Sequence, residues 1–196
     1  MELFWHGEDT CMINTGKSAQ ILINPHTSTT SGKKNSVIIL NSEDRTKYAK
    51  IDADTYVVDW PGEYEVADCL ITGVEIREED LLLKTAYNIH LPEDISIAVV
   101  GDVSKVLGGE EIELLGSADI LVLSLKNLDP KDAHKIVDHV EPHFVVPVDY
   151  KDEETLENFL KTLGVTQLPE KKSSLKLSKS DIPEIGITAV VLDQQK

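Results

Sequence analysis

Apolar positions change their rhythm part-way along the chain. In the first half they fall in short runs suited to strands, at residues 1–5, 10–14, 19–23, 37–40, 55–58, 64–66 and 70–74. The second and third runs flank Thr15-Gly16-Lys17-Ser18, a good hairpin loop. Val37-Ile38-Ile39-Leu40 is continuously apolar and predicts a strand covered on both faces. The 55–58 run stops at Trp60-Pro61-Gly62, a strong turn signal. A further strand is expected over 80–91, with a turn within 88–94 before the next one.

In the second half, apolar runs alternate with helical spacing. Strands are expected at 95–100, 120–125 and 144–148, with closing strands at 175–177 and 187–192. A short helix fits 110–115. Asp129-Pro130 places a capping side chain before a proline, which opens a helix bearing Ala133, Ile136, Val137 and Val140 on one face. Residues 153–163 predict a third helix, with Leu156, Phe159, Leu160 and Leu163 aligned and Gly164 as its stop. Strands first, then strands alternating with helices, fit two sheets packed face to face with helices outside.

Composition narrows the function. The 196 residues suit one domain, 1–196, and at this length roughly 70% of the unfolded chain's surface can be buried. Thirty-five acidic against 19 basic residues give a net charge of −16, which argues against nucleic acid as a partner. Lys171, Lys172, Lys176 and Lys179 form a local basic group, read as a solvated loop. Cys11 and Cys69, each in an apolar context, read as buried free thiols of a reducing compartment. No signal peptide is visible and no apolar window reaches the ~18 residues a membrane span needs, so a cytoplasmic protein is expected. No G-x-S-x-G elbow, P-loop or C-x-x-C occurs. Gly108-Gly109 reads as a helix-start turn, Trp5 and Trp60 as packing residues, and Ser28-Thr29-Thr30-Ser31-Gly32 as a loop.

Candidate chemistry gathers where buried strands end, at Glu43/Asp44, Asp102 and Asp149. The stretches FWHGEDTCMI (4–13), ILINP (21–25), DWPGEYEVADCLITGV (59–74), VVGDV (99–103), ADILVLSL (118–125), DPKDAHKIVDHVEPHFVVPVDY (129–150) and ENFLKTLGV (157–165) carry a resemblance, PGEYEV and ITGV most specifically. With them the chain resembles small bacterial metal-dependent-hydrolase-like proteins of the metallo-β-lactamase fold, on the ascorbate-phosphate-lactonase branch. The resemblance implies an αββα sandwich of two mixed sheets with outer helices. It also implies a loop of the form His-x-His-x-Asp-His, whose side chains converge on two zinc ions that activate a water.

In this chain that loop is NSEDRT. Asn41 stands where the first His belongs, Glu43 at the second, Arg45 at the Asp and Thr46 at the last His. The His expected after ITGV falls near Glu78, the final His is replaced by Asp149, and Gly-His near the start reads Gly7-Glu8. Asp102 alone keeps a ligand's identity. The six histidines, His6, His26, His90, His134, His139 and His143, form no H-x-H pair and read as ordinary surface or core residues.

The remnant pocket is therefore expected to contain Asn41, Glu43, Asp44, Arg45, Thr46, Glu78, Asp102 and Asp149. Like charges that close raise one another's pKa unless compensated. Arg45, Arg77 or Lys47 forms ion pairs there, or a hard cation (Mg²⁺, Mn²⁺ or Ca²⁺) is held by Glu43, Glu78, Asp102 and Asp149, or the loops splay into water. The expectation is a non-catalytic binding, scaffolding or regulatory protein without a cofactor, acting through a protein partner or self-association. The alternative is a divergent hydrolase that uses a carboxylate-bound cation on a phosphorylated or lactone substrate.

Overall fold

The computed structural model describes residues 1–16, 20–26, 36–44, 46, 48–49, 51, 55–78 and 83–195. Arg45, Lys47, the 28–32 loop, the hairpin residues 17–19 and the start of the expected 80–91 strand lie outside them. Among the described residues, thirteen strands form two sheets.

The first sheet takes β1 (Glu2–Trp5), β2 (Cys11–Asn14), β3 (Gln20–Ile23), β4 (Ser36–Ile39), β5 (Tyr56–Val58) and β12 (Leu175–Lys176). Its order is β12-β1-β2-β3-β4-β5, antiparallel as far as β3 and parallel from β3 to β5. The second sheet takes β6 (Gly62–Val66), β7 (Cys69–Ile76), β8 (Lys84–His90), β9 (Ser96–Val100), β10 (Ile120–Ser124), β11 (Phe144–Val148) and β13 (Thr188–Ala189). Its order is β13-β11-β10-β9-β8-β7-β6, and β9, β10, β11 and β13 run parallel. The fold is the mixed two-sheet sandwich that the strand order predicts.

The main core lies between the sheets, where Ile13, Ile21, Ile39, Ile71, Tyr87, Ile97, Val122 and Val146 interdigitate. Each such aliphatic side chain contributes roughly 1.5–3 kcal/mol on leaving water. A second core forms where α1 (Gly109–Leu115), α2 (Pro130–Val140) and α3 (Glu153–Thr162) cover the outer face of the second sheet. Ala133, Ile136, Val137 and Val140 of α2 are all buried there, as their spacing predicts. Asp129 caps α2 by accepting from Lys131 N at 2.9 Å. The outer face of the first sheet is covered differently. Leu22, Ile38 and Leu40 pack under Tyr48 from the loop after β4.

Two boundaries differ from expectation. The pairing of β8 with β7 and β9 continues to His90, so the turn before β9 is confined to the residues after it. The closing run at 187–192 is a two-residue strand followed by an isolated bridge at Leu192, because Pro147 of β11 has no N–H to continue the pairing. Pro147 sits in β11 without harm because β13 pairs only with Phe144 and Val145, so no partner amide acceptor faces the missing N–H. Gly73 explains the specificity of ITGV. A Cβ there would lie 2.8 Å from the Tyr87 ring and 3.0 Å from the Trp60 carbonyl. Trp5 is core, its ring centroid 5.3 Å from that of Tyr150 and tilted by 40°, whereas Trp60 is exposed.

Candidate functional site

Parallel strands leave their carboxyl ends open, and here the ends of β3, β4, β9 and β10 surround one cleft of ≈ 320 Å³. Its two walls differ in chemistry.

The first wall is built on two neutral amides. Asn24 and Asn41 follow β3 and β4, and both are buried. The Asn41 backbone N–H donates to Asn24 Oδ1 at 2.8 Å, and Asn24 Nδ2 donates to Asn41 Oδ1 at 2.8 Å and to Asp9 Oδ2 at 2.9 Å. Asn41 Nδ2 reaches the Thr85 carbonyl of β8 at 2.5 Å, and Thr85 N–H donates back to the Asn41 carbonyl at 2.9 Å. Asn41 thus ties the two sheets together. Gly101 makes room for it, since a Cβ there would lie 2.9 Å from the Asn41 Cβ. His26 Nε2 lies 2.9 Å from Asp9 Oδ1 and 3.4 Å from Glu8 Oε2. Tyr48 completes this wall, its hydroxyl pKa pushed up by burial and by Asp9.

The second wall is charged. Asp102 follows β9, Lys126 follows β10 and Asp149 follows β11, so the lysine projects from the middle strand of the three. Its Nζ lies 3.8 Å from Asp149 Oδ2 and 4.0 Å from Asp102 Oδ2. Asp102 Oδ1 also accepts from Asn127 Nδ2 at 2.6 Å, and Ser124 Oγ donates to Asp149 Oδ2 at 3.4 Å. Burial pushes the Asp149 carboxyl up to about 6, with Lys126 opposing and Asp9, Asp102 and Glu8 adding to the rise. Burial lowers the Lys126 ammonium pKa, but Asp149, Asp102, Asp9 and Glu8 outweigh it and hold the group charged. Glu8, Asn24 and Asp149 all adopt left-handed backbone, with φ of 45°, 46° and 50°. Such strain in non-glycine residues gathers where side chains are aimed at a site.

The residues expected in the pocket separate. Asn41 and Asp102 line the cleft, and Asp149 Oδ2 lies 3.8 Å from the Nζ of Lys126, which also lines it. Glu43 turns outward and accepts from Leu83 N at 3.0 Å. Asp44 accepts from Thr46 Oγ1 at 2.6 Å, and Thr46 is exposed. Glu78 is held by Lys84 and by Ser104 N at 2.6 Å. Burial opposes its ionisation, but the Lys84 contact wins and lowers its pKa. Arg45 lies outside the described residues. Arg77, expected as an inward counter-charge, points into solvent and meets Glu75 at 3.3 Å. A chain with Lys84 and Lys126 close to the carboxylates has no electrostatic need of it.

Sequence reasoning passed over Asp9, Asn24, His26, Tyr48 and Lys126. Lys126 was within reach, because the rule that marked Asp102 and Asp149 applies equally to the residue after 120–125. The Asn24–Asn41 pair carries no such signal, since amides recur in loops.

A zinc or other metal centre needs several donors converging on one point. Among the described residues no group of three or more His, Cys, Asp or Glu side chains is placed to hold an ion. Asp102 and Asp149 face an ammonium, while the Asp9 oxygens are taken by Asn24 and His26. The described residues do not fit a dinuclear metal centre.

Residues 2–149 match the family model of the beta-lactamase superfamily domain. The chain belongs to the beta-lactamase superfamily. No curated protein sequence matches it. Solved structures of the metallo-β-lactamase fold do. A proposed Zn-dependent hydrolase of the metallo-beta-lactamase superfamily from Thermotoga maritima superposes with a TM-score of 0.76 at 18% identity, covering 98% of this chain and 99% of that one. The isothiocyanate hydrolase from Delia radicum gut bacteria gives 0.67 at 10% identity, covering 100% and 98%. CmlA, a diiron β-hydroxylase from Streptomyces venezuelae, gives 0.64 at 12% identity, covering 97% of this chain and 52% of CmlA. At these identities the likeness is one of fold. No helix among the described residues is long and apolar enough to cross a membrane.

Proposed function

We propose that the chain is a non-catalytic member of the metallo-β-lactamase fold, a binding, scaffolding or regulatory protein whose zinc-ligand motif has degenerated. In this reading residues 1–196 act as one cytoplasmic domain of the ascorbate-phosphate-lactonase-like branch, working through a protein partner or a second copy. One observation carries it: the side chains after β4 are committed to structural hydrogen bonds. Asn41 joins Asn24 to Thr85, Glu43 holds Leu83, and Asp44 holds Thr46. Nothing described in that loop remains to ligate a metal or move a proton.

A second reading is favoured by the surplus of acid. Glu8, Asp9, Asp102 and Asp149 all act on the Lys126 ammonium. A divergent hydrolase binding Mg²⁺, Mn²⁺ or Ca²⁺ through such carboxylates, on a phosphorylated or lactone substrate, would put that surplus to use. The Thermotoga maritima protein's zinc and CmlA's iron are named for those proteins and give the reading its precedent. Elemental analysis of protein purified without chelator, with calorimetric titration of Zn²⁺, Mn²⁺, Mg²⁺ and Ca²⁺, separates the two. The proposal expects no stoichiometric metal and no binding. A bound metal lost in Asp102→Ala overturns it.

A further inference from the structure

We propose that the outer edge of β6 docks an extended antiparallel segment of a protein partner, in which basic residues alternate with apolar ones. The proposal rests on the non-catalytic reading above and gives its partner a chemistry. β6 is the last strand of the second sheet, and among the described residues no strand pairs with its outer edge. Ala67 and Asp68, with φ of 52° and 61°, join it to β7 as a two-residue hairpin loop. Such a loop makes Val66 and Cys69 a hydrogen-bonded pair, and the bonding alternates from there through Tyr64 and Ile71. The N–H and C=O groups of Glu63 and Glu65 therefore point away from β7, as the open ladder that an added strand takes up.

The two faces of this edge set the partner's pattern. Glu63 and Glu65 are exposed on the outer face, where Leu70, 55% exposed, stands opposite Glu65. Lysine or arginine at every second position of the incoming strand meets those carboxylates and lays its aliphatic stem towards Leu70. On the inner face Tyr64 packs at the border of the main core, and its hydroxyl donates to the Trp60 carbonyl at 2.9 Å. Tyr56 is the register partner of the core residue Val37, so its ring also faces inward. Burial, with Tyr56 nearby, pushes the Tyr64 hydroxyl pKa up. Tyr56 and Trp60 are nonetheless 51% and 58% exposed, an aromatic surface for the intervening apolar side chains. A second copy fits poorly, because antiparallel pairing of β6 with itself sets glutamate against glutamate on one face.

Calorimetric titration of the wild-type protein at physiological salt, with a short blocked peptide of alternating lysine and valine, tests this. Two controls accompany it: the same peptide with glutamate for lysine, and the lysine peptide N-methylated at its lysine amides. The lysine peptide should bind and the glutamate peptide should not. N-methylation keeps the charge but removes the ladder donors, and should weaken binding roughly tenfold or more. Glu63→Lys/Glu65→Lys should weaken the lysine peptide roughly tenfold and admit the glutamate peptide. No binding of the lysine peptide overturns the proposal. Equal binding of the plain and N-methylated peptides also overturns it, since that is bare attraction to a protein of charge −16. Both outcomes need only wild type, so they hold even where the charge-reversed variant fails to fold. A wild-type dimer in sedimentation that Glu65→Pro disperses would assign the edge to a second copy and overturn it too. None of these failures touches the non-catalytic reading, which metal content decides.

Discussion

The two walls of the cleft solve the same problem by opposite means. On the Asn24–Asn41 side the two amides are buried and neutral, and they bond at 2.5–2.9 Å to each other, to the Thr85 carbonyl and to the Asp9 carboxylate. On the Asp102–Lys126–Asp149 side the groups are charged, half-buried and held at 3.8–4.0 Å. Neutral amide networks are costly to break because each lost partner leaves a buried group unsatisfied. Ion cages are adjustable, because screening and protonation can rebalance them. The first wall therefore carries stability, and the second sets the response to pH and ions.

Breaking the amide wall should have the largest effect. Asn41→Ala removes one acceptor of Asn24 Nδ2 and the donor to the Thr85 carbonyl, and it weakens the tie between the two sheets. A loss of about 3 kcal/mol in urea unfolding is expected. Gly101→Ala attacks the same wall by crowding. Its new methyl would sit 2.9 Å from the Asn41 Cβ and 3.0 Å from its Cγ, costing about 2 kcal/mol in the same assay.

The charged wall should answer to pH instead. The Asp149 pKa of about 6 lies above its ordinary 3.8, so the native state holds that proton more tightly than the unfolded chain. Its favourable contribution is complete below pH 3.8 and is lost as pH rises through about 6. Asp149→Asn should then be more stable than wild type by about 1–2 kcal/mol at pH 7.5, with the two converging near pH 4. Unfolding measured across pH 4–8 checks both sign and window. The smallest effect is expected away from both walls. Arg77, 82% exposed on its Glu75 contact, should cost at most about 0.5 kcal/mol on mutation to Ala.

Much of the fold was legible in the sequence because its signals are local. Asp129-Pro130 and the spacing of Ala133, Ile136, Val137 and Val140 are enough to start α2 and turn it inward. The 37–40 run needs cover on both faces and receives it, from the sheet-to-sheet core and from Tyr48. The site was harder, because its contacts join residues far apart in sequence. Asn41 meets Thr85 across 44 positions, and Lys126 meets Asp102 from a strand whose own end looks unremarkably polar. Carboxylates at strand ends brought Glu43 into the pocket beside Asp102 and Asp149, and the resemblance added Glu78. The structure gives Glu43 to a backbone amide and Glu78 to Lys84. Acid pattern alone does not say which carboxylates have already found partners.

The most direct test of the central claim is a crystal structure of the wild-type protein grown in millimolar Mn²⁺, with anomalous diffraction recorded for manganese. The account predicts the Lys126 amine between Asp102 and Asp149 and no anomalous peak in the cleft. A peak ligated by those two carboxylates, with Lys126 swung out to solvent, would contradict it.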